Sequence, residues 1–171
     1  MASPIRKRTR IRIRNATRGD IAAMTALLAE LFSLEPDFPI CPEKQARGLS
    51  LLLRAARAGV ACVKVAVDPG SGRVVGMATV QFVISTAEGA PSGWVEDVIV
   101  TASRRGCGIG GRLLEALALA CVRRGVTRLQ LLADRHNRLA LKFYAGRGWQ
   151  RTRMTPLRRH LPLPCLSLLS P

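Results

Sequence analysis

Isoleucines alternate with arginines at Arg10-Ile-Arg-Ile-Arg14, the period-two pattern of a strand with one buried face. Thr17-Arg-Gly-Asp20 then supplies the chemistry of a capping box, and Ile21, Met24, Leu27, Leu28 and Leu31 follow on one face of a helix. A proline-rich loop from Glu35 to Pro42 leads into a second helix over 43–57, closed by Ala58-Gly59. Residues 60–67 and 73–84 read as strands joined by the turn-forming Asp68-Pro-Gly-Ser-Gly72. A turn-rich connection over 85–93 precedes an apolar strand over 94–100. Helical periodicity returns over 109–124, a buried strand follows over 126–133, then a helix over 137–146 and a final strand over 149–158. This order, β-α-α-β-β-β-α-β-α-β, predicts an α/β fold with a mixed central sheet and helices on both faces.

Composition narrows the class. A chain of 171 residues, 48% of them hydrophobic, is long enough for one domain with a real core. Residues 1–9 read as a basic extension, 10–158 as the folded domain and 159–171 as a Pro/Leu-rich tail. No apolar run has the length of a membrane span, and the arginine-rich start lacks the apolar segment of a secretory signal, so the expected location is cytoplasmic, with no membrane partner. Five cysteines without a Cys-x-x-Cys pair, and two distant histidines, disfavour a disulfide framework and a zinc site, and no metal is expected.

The net charge of +16 raises nucleic acid as a partner. The arginines cluster at the two ends of the chain, however, and a single tyrosine offers little for base stacking, so that reading has weak support.

The chemistry concentrates in one stretch. After Trp94-Val-Glu-Asp-Val-Ile-Val100 comes Arg104-Arg-Gly-Cys-Gly-Ile-Gly-Gly-Arg-Leu-Leu114, with four glycines in six residues opening a helix. Backbone N–H groups and the helix dipole there favour an anion. A P-loop is excluded, because Arg112-Leu113 stand where Lys-Ser/Thr is required. Gly106, Gly108 and Gly111 match the dinucleotide fingerprint literally, with Asp134 as its distant acid. The Thr101–Arg105 connection is too long for that tight turn, and too little chain follows for the second half of such a sheet.

Arg105-x-x-Gly108-x-Gly110 instead resembles the pyrophosphate loop of the GCN5-related N-acetyltransferases. The likeness extends to Asn137-Arg-Leu-Ala-Leu-Lys-Phe-Tyr144, ending at Gly148-Trp149, to the Val95–Val100 strand, and to Arg12–Asp20 as first strand and helix start. It implies an acetyl-CoA-dependent N-acetyltransferase in which an amine attacks the thioester directly, within a ternary complex. Backbone groups of Val98, Ile99 and Val100 would hold the acetyl-bearing arm. The phosphates would lie against Arg104, Arg105, Gly106, Cys107, Gly108, Ile109, Gly110 and Gly111, with Asn137 beside them.

By the same resemblance Glu96 is the expected base, acting through water, and Tyr144 the acid that protonates the leaving thiolate. Asp97, Glu35 and Asp37 are expected beside the acceptor, a small-molecule or peptide amine, and a homodimer stays open. Two readings from other classes remain at this point: a non-catalytic acyl-CoA sensor, and a basic nucleic-acid-binding protein.

Overall fold

The computed structural model describes residues 11–35 and 37–161. The predicted N-terminal extension and residues 162–171 of the predicted tail lie outside them. The elements are β1 (Arg12–Asn15), a 3-10 turn (Arg18–Asp20), α1 (Ile21–Phe32), α2 (Pro42–Arg57), β2 (Ala61–Val67), β3 (Val74–Ser85) and β4 (Ala90–Val100). A second 3-10 turn (Ala102–Arg104), α3 (Ile109–Val122), β5 (Arg128–Leu131) and α4 (Arg138–Ala145) follow. The five strands form one sheet in chain order, antiparallel from β1 to β4, with β5 parallel to β4.

The sheet is covered on both faces, as the order of elements predicts. Met24, Leu27 and Leu28 of α1 and Leu49 and Leu53 of α2 pack on Val63, Val65, Met77 and Ile99. On the other face Leu113, Leu114 and Leu117 of α3 bury against Ala66, Ala78, Val80 and Val95, with Phe143 and Tyr144 of α4 at the margin. β1 is tied to α1 by the buried Asp20. Its carboxylate accepts both Arg14 guanidinium nitrogens at 2.7 Å, the Thr17 N–H at 2.7 Å and the Thr17 hydroxyl at 2.9 Å.

Three predicted segments differ. The expected buried strand over 126–133 is shorter and at most half-buried, β5 spanning Arg128–Leu131 with Arg128 exposed. The expected connection over 85–93 is largely strand: β3 and β4 pair as far as Ser85 opposite Ala90, so that only 86–89 turn. The expected final strand over 149–158 does not form, and among the described residues the sheet ends at β5. Residues 150–161 are all exposed. Arg151, Arg153 and Arg158 give that segment no apolar face to bury, and Pro156 removes a ladder donor.

Candidate active site

β4 carries two irregularities that create a site. It pairs with β5 only from Ser92 to Val95, yet it continues for five residues to Val100. Thr101 N–H bonds to Val75 O on β3, so by antiparallel alternation Ile99 bonds toward β3 while Val98 and Val100 present backbone groups to the open side. The Val100 carbonyl already accepts a bond from Arg105 Nε at 2.9 Å.

The second irregularity is a bulge. Ala78 pairs with Val98 but Val80 with Val95, so β4 holds one extra residue opposite Thr79. Val95 and Val98, three residues apart, consequently face the same α3 side. The bulge falls on Glu96-Asp97 and separates their environments. Asp97 is half-buried, and its N–H donates to Thr79 Oγ1 at 3.1 Å while the Thr79 hydroxyl donates to Asp97 Oδ2 at 3.2 Å. Burial, followed by the charge of Glu96, pushes the Asp97 carboxyl up to about 6. Glu96 is exposed and accepts the Trp94 indole N–H at 3.0 Å.

Further groups converge from α1, α4 and the chain after β5. Burial, reinforced by the charges of Asp134 and Asp37, raises the Glu35 carboxyl. Tyr144 packs edge-on against Phe143 and Trp149, with ring centroids 5.2 and 5.6 Å apart. Burial and then the charge of Glu35 push its hydroxyl up to about 12. The charge of Glu35 also raises Asp97, so it acts on both Asp97 and Tyr144. Asp37 is exposed, with Arg158 Nη2 3.9 Å from its carboxylate.

The glycine loop turns through two left-handed residues, Gly106 at φ 74° and Gly108 at φ 76°, the latter capping α3. An L side chain is disfavoured there by backbone sterics. Gly110 serves closeness instead, since a Cβ would lie 3.1 Å from the Phe143 ring. A Cβ on Gly111 would come within 2.7 Å of the Arg147 guanidinium. The exposed Cys107 and the buried Ile109 complete the turn. Glu30 of α1 braces the segment before it, accepting the Thr101 hydroxyl at 2.8 Å and Ala102 N–H at 3.1 Å, and lying 3.8 Å from Arg105. Arg104 pairs with the buried Asp68.

An open strand edge beside a glycine-capped helix is thus built from the residues that carry the sequence resemblance. The model of the acetyltransferase (GNAT) family matches residues 23–149. The chain belongs to the GNAT acetyltransferase family. A Trypanosoma brucei acetyltransferase structure superposes with a TM-score of 0.68 at 25% identity, covering 89% of this chain and 100% of that one. A Bacillus halodurans transcriptional regulator gives 0.72 at 26%, over 89% and 100%. Glucosamine-6-phosphate N-acetyltransferase from Arabidopsis thaliana gives 0.69 at 19%, over 88% and 98%, a likeness of fold alone. No curated protein shows significant sequence similarity to the chain.

Within this GNAT domain the expected cofactor residues from Val98 to Gly111 form the free edge of β4, the loop and the first turn of α3, while Asn137 and Tyr144 lie at and on α4. Asn137 caps α4, its Oδ1 accepting the Ala140 N–H at 3.0 Å. Arg112 turns away from the loop and donates to Ile11 O at 2.7 Å. Sequence reasoning did not find Thr79, Glu30, Asp68 or Arg147, whose roles depend on contacts between distant elements. It considered Asp134 only as a dinucleotide acid, whereas in the fold its charge contributes to raising Glu35. Among the described residues no cluster suited to a metal ion occurs, and no helix is long and apolar enough to cross a membrane.

Proposed function

We propose that the protein is an acetyl-CoA-dependent N-acetyltransferase, acting on an amine held beside Glu35 and Asp97. The observation that carries this reading is the free edge of β4 over 96–100, running into a loop whose Gly106 and Gly108 have open space beside them. Acetyl-CoA, when bound, supplies the activated acyl group. The residues present fit it: Gly106 and Gly108 open the cradle by conformation, Gly110 lets the Phe143 ring of α4 pack on the first turn of α3, and Arg105 stands beside the loop.

Each step then falls to a named group. Val98 offers unpaired backbone groups to the acyl arm and to the charge developing on its carbonyl oxygen. Proton removal from the amine belongs to the acids of the bulge. The sequence resemblance assigns the base to Glu96, but Asp97 is the half-buried member, with its titration near neutrality. In this reading Asp97 takes the proton and the exposed Glu96 hands it to solvent. Tyr144 keeps its proton across the physiological range and returns one to the leaving thiolate. Glu35, Asp97 and the nearby Asp37 favour an acceptor that arrives as a cation and is neutralised in the cleft.

Thermal denaturation tests cofactor binding. Acetyl-CoA raises the melting temperature of the wild type and fails to raise that of Gly108→Glu, which sets a carboxylate where the phosphates bind. No shift in the wild type overturns the reading.

A further inference from the structure

The end of the domain opposite the glycine loop holds a second concave site. β1 stops at Asn15, which pairs with Lys64, while β2 begins three residues earlier at Ala61. The notch left at this sheet edge lies between the C-terminal ends of α2 and α3 and encloses about 280 Å3. Leu53, Ala56, Val63 and Ala120 are among its apolar lining, and Arg18, Arg57, Lys64, Arg123 and Arg124 supply its charge. No carboxylate lines it. None of the five cations takes part in an ion pair among the described residues.

We propose that this notch binds a small anion carrying two or more phosphate groups, at a site separate from the acetyl-transfer cleft. Helix ends are the competing explanation for arginines here, because each helix C-terminus carries about half a negative charge. Two such ends offset only about one of the five cations, leaving about four positive charges in the notch. Bonds within the protein account for part of this set only. Lys64 donates to Asn15 Oδ1 at 2.6 Å, and Arg124 donates to Ala120 O at 3.3 Å with its guanidinium over the Phe82 ring.

A phosphate group carries about −1.5 to −2, so two are needed to match the remaining charge. The concave shape suits a compact ligand, and the lining has no aromatic side chain on which the bases of a nucleic-acid strand would stack. Separation from the cofactor cradle follows from α3, whose 14 residues place the two sites about 20 Å apart.

Calorimetric titration with inorganic pyrophosphate at about 0.15 M salt tests this. The wild type and Gly108→Glu are expected to bind at one common site, and Lys64→Gln/Arg123→Gln to bind about tenfold or more weakly with an unchanged far-UV spectrum. Should that double variant fail to fold, Arg18→Gln/Arg57→Gln, at two exposed positions, serves in its place. Four results overturn the proposal: no binding by the wild type, loss of binding in Gly108→Glu alone, sulfate binding as tightly as pyrophosphate, or displacement of pyrophosphate by a single-stranded oligonucleotide of lower Kd.

Discussion

Asp97 and Thr79 hold each other across the bulge in β4, Asp97 N–H donating to the Thr79 oxygen at 3.1 Å and the Thr79 hydroxyl donating to the carboxylate at 3.2 Å. The extra residue in β4 brings this about, and it decides which acid is withdrawn from water. The bond to Thr79 favours the ionised carboxylate, whereas burial and Glu96 oppose it with the larger effect.

The pH profile of kcat/KM should therefore rise through an acid limb near 6, because Asp97 acts only when deprotonated. Thr79→Val removes a bond that lowers this pKa, so the limb should move to higher pH. Asp97→Asn should lower kcat/KM by about a hundredfold and abolish the limb. Initial rates across pH 5–9, roughly the range over which these groups change state, check the wild type and both variants.

Asp97 also predicts a gain in stability when it is removed. Its carboxyl titrates higher in the folded chain than its ordinary 3.8, so the folded state holds the proton more firmly. Stability falls as pH rises from about 4 to about 6, and that cost is fully present at pH 7. Asp97→Asn should stabilise the fold at pH 7 by roughly 2 kcal/mol and change little at pH 3. Urea denaturation at both pH values measures the difference.

Asp20 behaves in the opposite sense. Its bonds to Arg14, followed by those to Thr17, hold the carboxyl down at about 2. The stability it contributes is complete above pH 4 and is lost as pH falls through about 2. Asp20→Asn should cost roughly 2 kcal/mol at pH 7, and the deficit should shrink in acid. The same urea series reports it.

Tyr144→Phe separates chemistry from binding. With its hydroxyl pushed up to about 12, Tyr144 stays protonated throughout the working range. Its loss should lower kcat by about a hundredfold while leaving the Kd for acetyl-CoA within about twofold. Single-turnover kinetics beside calorimetry distinguish the two.

The parts of the site legible in the sequence are those written in local chemistry. Consecutive glycines before an apolar helical repeat located the loop and α3, and the Asn-to-Tyr segment located α4. The bulge was harder to read. Its trace is the three-residue spacing of Val95 and Val98, which two adjacent acids mask. The contacts of Asp68 with Arg104, Glu30 with Thr101 and Arg147 with Gly111 join distant parts of the chain, so no local pattern encodes them. The expected strand at 149–158 does not form, since its alternating arginines leave no continuous apolar face to bury.

Release of free CoA from acetyl-CoA, followed across a panel of small and peptide amines, tests the central claim most directly. The account predicts turnover with at least one cationic amine by the wild type, and strong loss of it in Asp97→Asn at unchanged acetyl-CoA affinity. Binding of acetyl-CoA with no turnover on any amine, or full activity in Asp97→Asn, would contradict it.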